Sequence, residues 1–151
     1  IRRIKENEID PVVDLFVRLK KLNNEFDSTF KVCENVQEEA KKVLKTIAKS
    51  DDHILLGAFK GKNIIGVMHT VILKRPCYDP KDEARIVEFY IMPEYRNKGI
   101  GKTMISELYK ILKEKNISLV TAEFPALNLI ALNFYKKLEW REIVSVYGKT
   151  I

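Results

Sequence analysis

Long apolar runs are missing: nothing in the 151 residues approaches the roughly 18 consecutive apolar positions that a membrane-spanning helix needs, so no membrane partner is expected. The first ten residues, IRRIKENEID, lack the apolar centre of a secretory signal, so none is expected either. Cysteine is scarce. Cys33 and Cys77 stand far apart in no ligand-like spacing, which excludes a disulfide-dense scaffold and fits reduced thiols in a cytoplasmic protein. The two histidines, His53 and His69, form no metal motif, and no metal is expected. There is no Ser/Gly/Pro linker, no repeat and no low-complexity stretch, so residues 1–151 read as a single domain. Dense Lys/Arg blocks and basic residues interleaved with aromatics are also lacking, which argues against a nucleic-acid partner.

What is present is an ordinary globular composition, 46% hydrophobic and 32% charged, with a net charge of +6 that favours anionic ligands. IRRIK (1–5) alternates like a short strand. IDPVVDLFVRLKKLNNEF then carries Leu15, Phe16, Leu19 and Leu22 at helical spacing, with Pro11 suited to a first turn. VQEEAKKVLKTIAKS puts Val36, Ala40, Val43, Leu44 and Ile47 on one stripe. Residues 53–59 and 64–73 read as a hairpin, and 84–92 as a strand with few polar interruptions. An amphipathic helix is expected over 99–115, a strand over 117–124, a helix near 127–138 and one or two strands in REIVSVYGKTI. The order β-α-α-β-β-β-α-β-α-β(-β) predicts an α/β (α+β) fold. Its mixed central sheet has six or seven strands and is flanked by helices on both faces.

The chemistry concentrates in YIMPEYRNKGIGKTM (90–104), where a strand stops at a proline and a helix begins near Gly99. A helix N-terminus offers unpaired N–H groups and partial positive charge. Glycine lets backbone approach an anion closely, and Arg96, Lys98 and Lys102 add full charges. A pyrophosphate cradle is one reading; a glycine-assisted basic turn is the other.

VEFYIMPEYRNKGIGKTMISEL resembles the acetyl-CoA-binding motif of the GCN5-related N-acetyltransferase (GNAT) superfamily, with Arg96, Gly99 and Gly101 in the Arg/Gln-x-x-Gly-x-Gly/Ala positions. NLIALNFYKKLEW is similar to that family's Asn-x-x-Ala-x-x-Phe-Tyr segment. The resemblance covers nearly the whole chain and implies the GNAT fold. It also implies a role as an acetyl-CoA-dependent N-acetyltransferase acting on a small-molecule or peptide/protein amine; a non-catalytic acyl-CoA-binding regulatory domain is the alternative. It implies that backbone groups of Tyr90, Ile91 and Met92 pair with pantetheine. Amides from Asn97, Lys98, Gly99, Ile100, Gly101 and Lys102 would hold the pyrophosphate, and the Thr103 hydroxyl could reach the same phosphates. Asn128, Ala131 and Tyr135 would form the other wall. A homodimer is possible, with the C-terminal strands pairing or swapping.

By the same resemblance, the N–H of Ile91 would stabilise the tetrahedral oxyanion and Tyr135 would protonate the departing thiolate. Tyr135 as a plain core aromatic is the competing reading. An alkylammonium of pKa about 10.4 must lose a proton before attack, and Glu88 is the candidate base, with Glu123 and His69 as alternatives. A Glu in an apolar strand needs a reason, and a salt bridge to Arg85, Arg141 or a lysine is the structural one. Many relatives carry their acid one place earlier, where this chain has Val87, which would put Glu88 on the opposite pleat. Relatives also usually have glycine where this chain has Glu139, so the cap of the last helix is in question.

Overall fold

The computed structural model describes residues 1–151. Its elements in order are β1 (Arg2–Arg3), α1 (Ile9–Phe26), α2 (Val36–Lys49), β2 (His53–Lys60), β3 (Asn63–Lys74), β4 (Asp82–Ile91), α3 (Ile100–Glu114), β5 (Val120–Ala122) and α4 (Leu129–Lys137). The strands form one sheet in the order β1-β2-β3-β4-β5. β1 to β4 pair antiparallel and β4 pairs parallel with β5, the direction that the intervening helix α3 requires.

Alternation along the strands sends residues to two separate cores. Leu55, Val67 and Tyr90 meet the stripes of α1 (Val12, Phe16, Leu19) and α2 (Ala40, Leu44, Ile47) on one face. Ile54, Leu56, Met68 and Ile86 meet α3 (Met104, Ile105, Leu108, Leu112) and Tyr135 of α4 on the other. Coverage of both faces explains why β2 and β3 read as nearly continuous apolar runs. Truncating a fully buried leucine such as Leu108 would cost about 2–5 kcal/mol. No helix is long and apolar enough to cross a membrane.

The strand expected over 117–124 shrinks to Val120–Ala122, because Ile117 is used to end α3. Asn116 takes a left-handed conformation (φ 57°) and the Ile117 N–H donates to the Leu112 carbonyl at 2.9 Å, which caps the helix. The C-terminal strands are absent: residues 141–151 carry no regular structure, and Val144, Val146 and Tyr147 are 74, 91 and 94% exposed. The sheet therefore has five strands rather than six or seven. IVSVY has strand-like residue types, but a strand exists only where its ladder groups find a partner, and no strand of this sheet pairs with it.

Candidate active site

β4 is where the two cores and the candidate chemistry meet. Its register against β3 slips between His69 and Thr70: His69 faces Glu88 while Thr70 faces Ile86, so Val87 is the extra residue of a bulge. The bulge resets the pleat. It leaves Ile86 with α3 and α4, and turns Glu88, like Tyr90, toward α1 and α2. The one-place offset of the acid in the sequence thus coincides with a backbone bulge.

Glu88 is only 12% exposed at its side chain and is fully engaged. Lys20 of α1 places Nζ 2.9 Å from its Oε1. His69 Nδ1 bonds its Oε2, and a carboxylate can only accept, so His69 is the donor there. On the far side of that ring, His53 Nδ1 lies 2.8 Å from His69 Nε2, and the two imidazoles stack with centroids 5.0 Å apart. Burial pushes the Glu88 carboxyl up, but the His69 hydrogen bond and the Lys20 charge outweigh it and hold its pKa below the ordinary value. Burial and the neighbouring His69 hold His53 below the usual imidazole value. Of the salt-bridge partners open to Glu88, a lysine is used. Arg85 instead pairs with Glu83 at 3.0 Å, and Glu123 is exposed. Lys20 and His53 were not singled out from the sequence. Lys20 follows Phe16 by one helical turn, so it flanks the apolar stripe, which is the signal that could have found it.

The other edge of β4 opens into a gap. Pairing with β5 spans Ala84, Arg85 and Ile86 and ends with the Glu123 N–H donating to the Ile86 carbonyl at 3.0 Å. Met92 cannot offer its amide to a ligand as expected, since its N–H donates to Ile65 (2.9 Å) and its carbonyl accepts from Tyr95 (2.9 Å). Alternation gives Tyr90 to the β3 ladder as well, which leaves the N–H groups of Phe89 and Ile91 facing the gap. The Ile91 carbonyl accepts from Arg96 Nε at 2.8 Å, and the guanidinium stands 5.4 Å from the Tyr90 ring centre. Arg96 therefore braces the end of β4 in this conformation and does not extend into solvent.

After the short turn Pro93–Tyr95 come the candidate cradle residues. The backbone N–H groups from Asn97 through Lys102 donate to no acceptor within the chain; the next one, Thr103, donates to the Gly99 carbonyl at 3.0 Å. Asn97 (φ 60°) and Gly99 (φ 80°) are both left-handed, which is what reverses the chain into α3. Lys98 Nζ sits 5.7 Å from the Tyr95 ring centre, and Lys102 is exposed. The Thr103 hydroxyl donates to the Gly99 carbonyl at 3.0 Å, so it closes the first turn. Gly101 has a different reason to be glycine: a Cβ there would lie 3.0 Å from the Phe134 ring and 3.4 Å from Ile91. Its absence lets α3, α4 and the end of β4 converge.

α4 forms the opposite wall. Asn128 is its N-cap, with Oδ1 accepting from the Ala131 N–H at 3.1 Å, so only its NH₂ group remains to meet a ligand. Ala131 is half-buried beside it. Tyr135 stacks on Phe124 (centroids 5.5 Å apart) and leans on Trp140 (4.8 Å), and burial drives its phenol pKa upward. Glu139 does stand in the left-handed conformation (φ 64°). Its N–H donates to Lys136 and the Trp140 N–H to Tyr135, both at 3.0 Å, so the helix ends in the usual Schellman pattern without the usual glycine.

Over residues 19–140 the chain matches the model of the acetyltransferase (GNAT) family. It is 32% identical over 99 residues to a spermidine N(1)-acetyltransferase of Thermoplasma acidophilum, a match that covers 64% of this chain and 57% of that protein. The chain thus spans little more than half the length of this curated relative. A predicted acetyltransferase from Clostridium acetobutylicum, solved with acetyl-CoA, superposes with a TM-score of 0.79 at 17% identity, covering 99% of this chain and 94% of that one. An aminoglycoside acetyltransferase from an uncultured soil metagenomic sample superposes with a TM-score of 0.74 at 21% identity, with coverage of 99% and 94%. At such identities the two structures speak to the fold.

Proposed function

Because the chain belongs to the acetyltransferase (GNAT) family, we propose that it is an acetyl-CoA-dependent N-acetyltransferase that moves the acetyl group directly to a primary amine. The observation that carries the reading is the run of N–H groups from Asn97 through Lys102 without internal acceptors, at the positive end of α3 and beside the gap in the sheet. These amides would take the pyrophosphate of coenzyme A, with Lys98 and Lys102 adding charge. The pantetheine arm would run toward β4 between the Ile91 N–H and α4, past Asn128, Ala131 and Tyr135. Acetyl-CoA is a cosubstrate that supplies the activated acyl group.

In this reading the Ile91 N–H donates to the carbonyl oxygen as it becomes an oxyanion. Glu88, ionised at neutral pH, takes the proton that the ammonium must lose. The raised pKa of Tyr135 keeps its hydroxyl protonated and makes full transfer to a thiolate uphill, so its role is a hydrogen bond to the departing sulfur. The acceptor is a primary alkyl amine of a small molecule or peptide. The spermidine named for the Thermoplasma relative is of this class, and an ionised carboxylate is what such a cation needs.

Calorimetric titration with acetyl-CoA, followed by free-thiol release against spermidine, an aminoglycoside and peptide amines, tests the proposal. Saturable binding with amine-dependent thiol release is expected. Binding without turnover on any amine would move the chain to the regulatory class, and no binding at millimolar acetyl-CoA would remove the cradle.

A further inference from the structure

Glu88 has two carboxylate oxygens and both are occupied, by very different partners. His69 holds Oε2 from within a strand, itself 5% exposed and stacked on His53, so that contact is fixed. Lys20 holds Oε1 from the end of a flexible four-carbon stem, with its side chain 35% exposed. Its Nζ also lies 4.8 Å from the centre of the Phe16 ring. A carboxylate on one side and an aromatic face near another is the chemistry that recognises an alkylammonium ion. Among the ion-paired lysines Lys20 stands apart: Lys41, Lys49, Lys74 and Lys110 pair with carboxylates that are between 32 and 79% exposed.

We propose that Lys20 occupies the acceptor-amine position beside Glu88 and is the chain's own acceptor, acetylated on Nζ by acetyl-CoA when no external amine displaces it. The inference rests on the transferase reading above and deepens it, since it identifies the group this site is shaped to hold as a primary amine on an unbranched alkyl chain. The reaction balances without further reagents. Glu88 takes one proton from the Lys20 ammonium, and the freed amine attacks the thioester carbonyl. The C–N bond forms, the nitrogen gives up its second proton, the C–S bond breaks, and the thiolate of coenzyme A leaves and takes up that proton through solvent, while Glu88 returns the first one to solvent. The product amide is neutral, so the Lys20–Glu88 ion pair is lost and one oxygen of the carboxylate is released.

The test uses the full chain and acetyl-CoA alone. Peptide mapping by mass spectrometry should show one acetyl group concentrated at Lys20, accompanied by about one equivalent of free thiol per chain. Propylamine or spermidine should suppress that modification in proportion to its own acetylation. Glu88→Gln should slow the Lys20 reaction roughly 100-fold, the low end of what a general base contributes. Lys20→Arg should remove the thiol burst while leaving acetyl-CoA binding measurable by calorimetry. Two results overturn the inference while leaving the transferase reading intact: acetylation spread over surface lysines without preference for Lys20, or an unmodified Lys20 in a protein that acetylates added amines. Failure to bind acetyl-CoA overturns both.

Discussion

Replacing Gly99 with alanine perturbs one dihedral angle and little else. No atom lies within 4 Å of the position a Cβ would occupy, so there is no clash to relieve, yet φ is +80°. Holding an L-residue there costs about 1–2 kcal/mol. For a chain of this length that lowers the thermal midpoint by roughly 2–8 °C. The effect on ligand is larger if residue 99 relaxes toward negative φ instead, because the N–H groups of Ile100 and Gly101 then swing away from their common direction. Losing one hydrogen bond to a charged phosphate forfeits about 1.5–3 kcal/mol, which is roughly 10- to 150-fold in affinity. Calorimetric titration with coenzyme A and scanning calorimetry of the free protein read the two effects separately. Gly101→Ala is the contrast. Its Cβ meets the Phe134 ring at 3.0 Å, so about 1–3 kcal/mol of overpacking is set against about 1 kcal/mol of improved helix propensity. An unchanged coenzyme A affinity in a Gly99→Ala chain whose midpoint is not lowered, so that residue 99 has relaxed and turned these amides away, would refute the argument that they form the phosphate site.

Three further outcomes are expected. Tyr135→Phe keeps the stack on Phe124 and Trp140, so its thermal midpoint and acetyl-CoA affinity should stay close to wild type, while loss of one hydrogen bond to the charged sulfur should lower amine-dependent thiol release about 10- to 150-fold; unchanged release would leave Tyr135 with a packing role alone. Burial raises the Glu88 pKa, but His69 and Lys20 more than reverse this, so its folded value lies below its unfolded one. Such a group stabilises the fold above the unfolded pKa and loses that contribution as pH falls through the folded value. The stability gap between wild type and Glu88→Gln, from urea midpoints, should therefore be largest near neutrality and shrink below about pH 4.3; a gap that widens in acid contradicts the assignment. Glu139→Gly removes the left-handed strain at the end of α4 (φ 64°) and should raise the midpoint by roughly 2–4 °C, with activity unaffected.

The elements most legible in the sequence were those with a period and a cap. The spacing of Leu15, Phe16, Leu19 and Leu22 gave α1 its bounds, and the break at Pro93 before two glycines marked the end of β4 and the start of α3. The turn into α3 was legible because a left-handed conformation narrows the choice of residue at positions such as 97 and 99. The strands of the C-terminus were not, because alternation records which residues tolerate a pleat and not whether a neighbouring strand exists to complete it. Lys20 and His53 escaped for a related reason. Each carries no motif and becomes notable only through a partner far along the chain, Lys20 through Glu88 and His53 through His69.

The bulge at Val87 joins these two kinds of information. A ladder without slippage would alternate Val87 and Glu88 across the sheet, and Glu88 would point into the apolar face lined by α3 and α4, with no cation among its buried neighbours. An ionised carboxylate there costs several kcal/mol, far more than one unpaired backbone residue at a bulge. The extra residue instead turns Glu88 toward Lys20 and His69, where its charge is met from two sides. The same irregularity falls where the β4–β5 ladder ends, so the pleat reset and the opening of the sheet occupy one stretch of backbone. A candidate base on one face and the end of the β4–β5 ladder beside it therefore coincide at a single local departure from β geometry. Deleting Val87 removes only the extra residue and leaves Ile86 opposite Thr70 and Glu88 opposite His69 in a regular ladder, so Glu88 should stay beside Lys20 and keep its acid-sensitive contribution to stability; urea midpoints that show no gap from a Glu88→Gln chain carrying the same deletion would contradict this register.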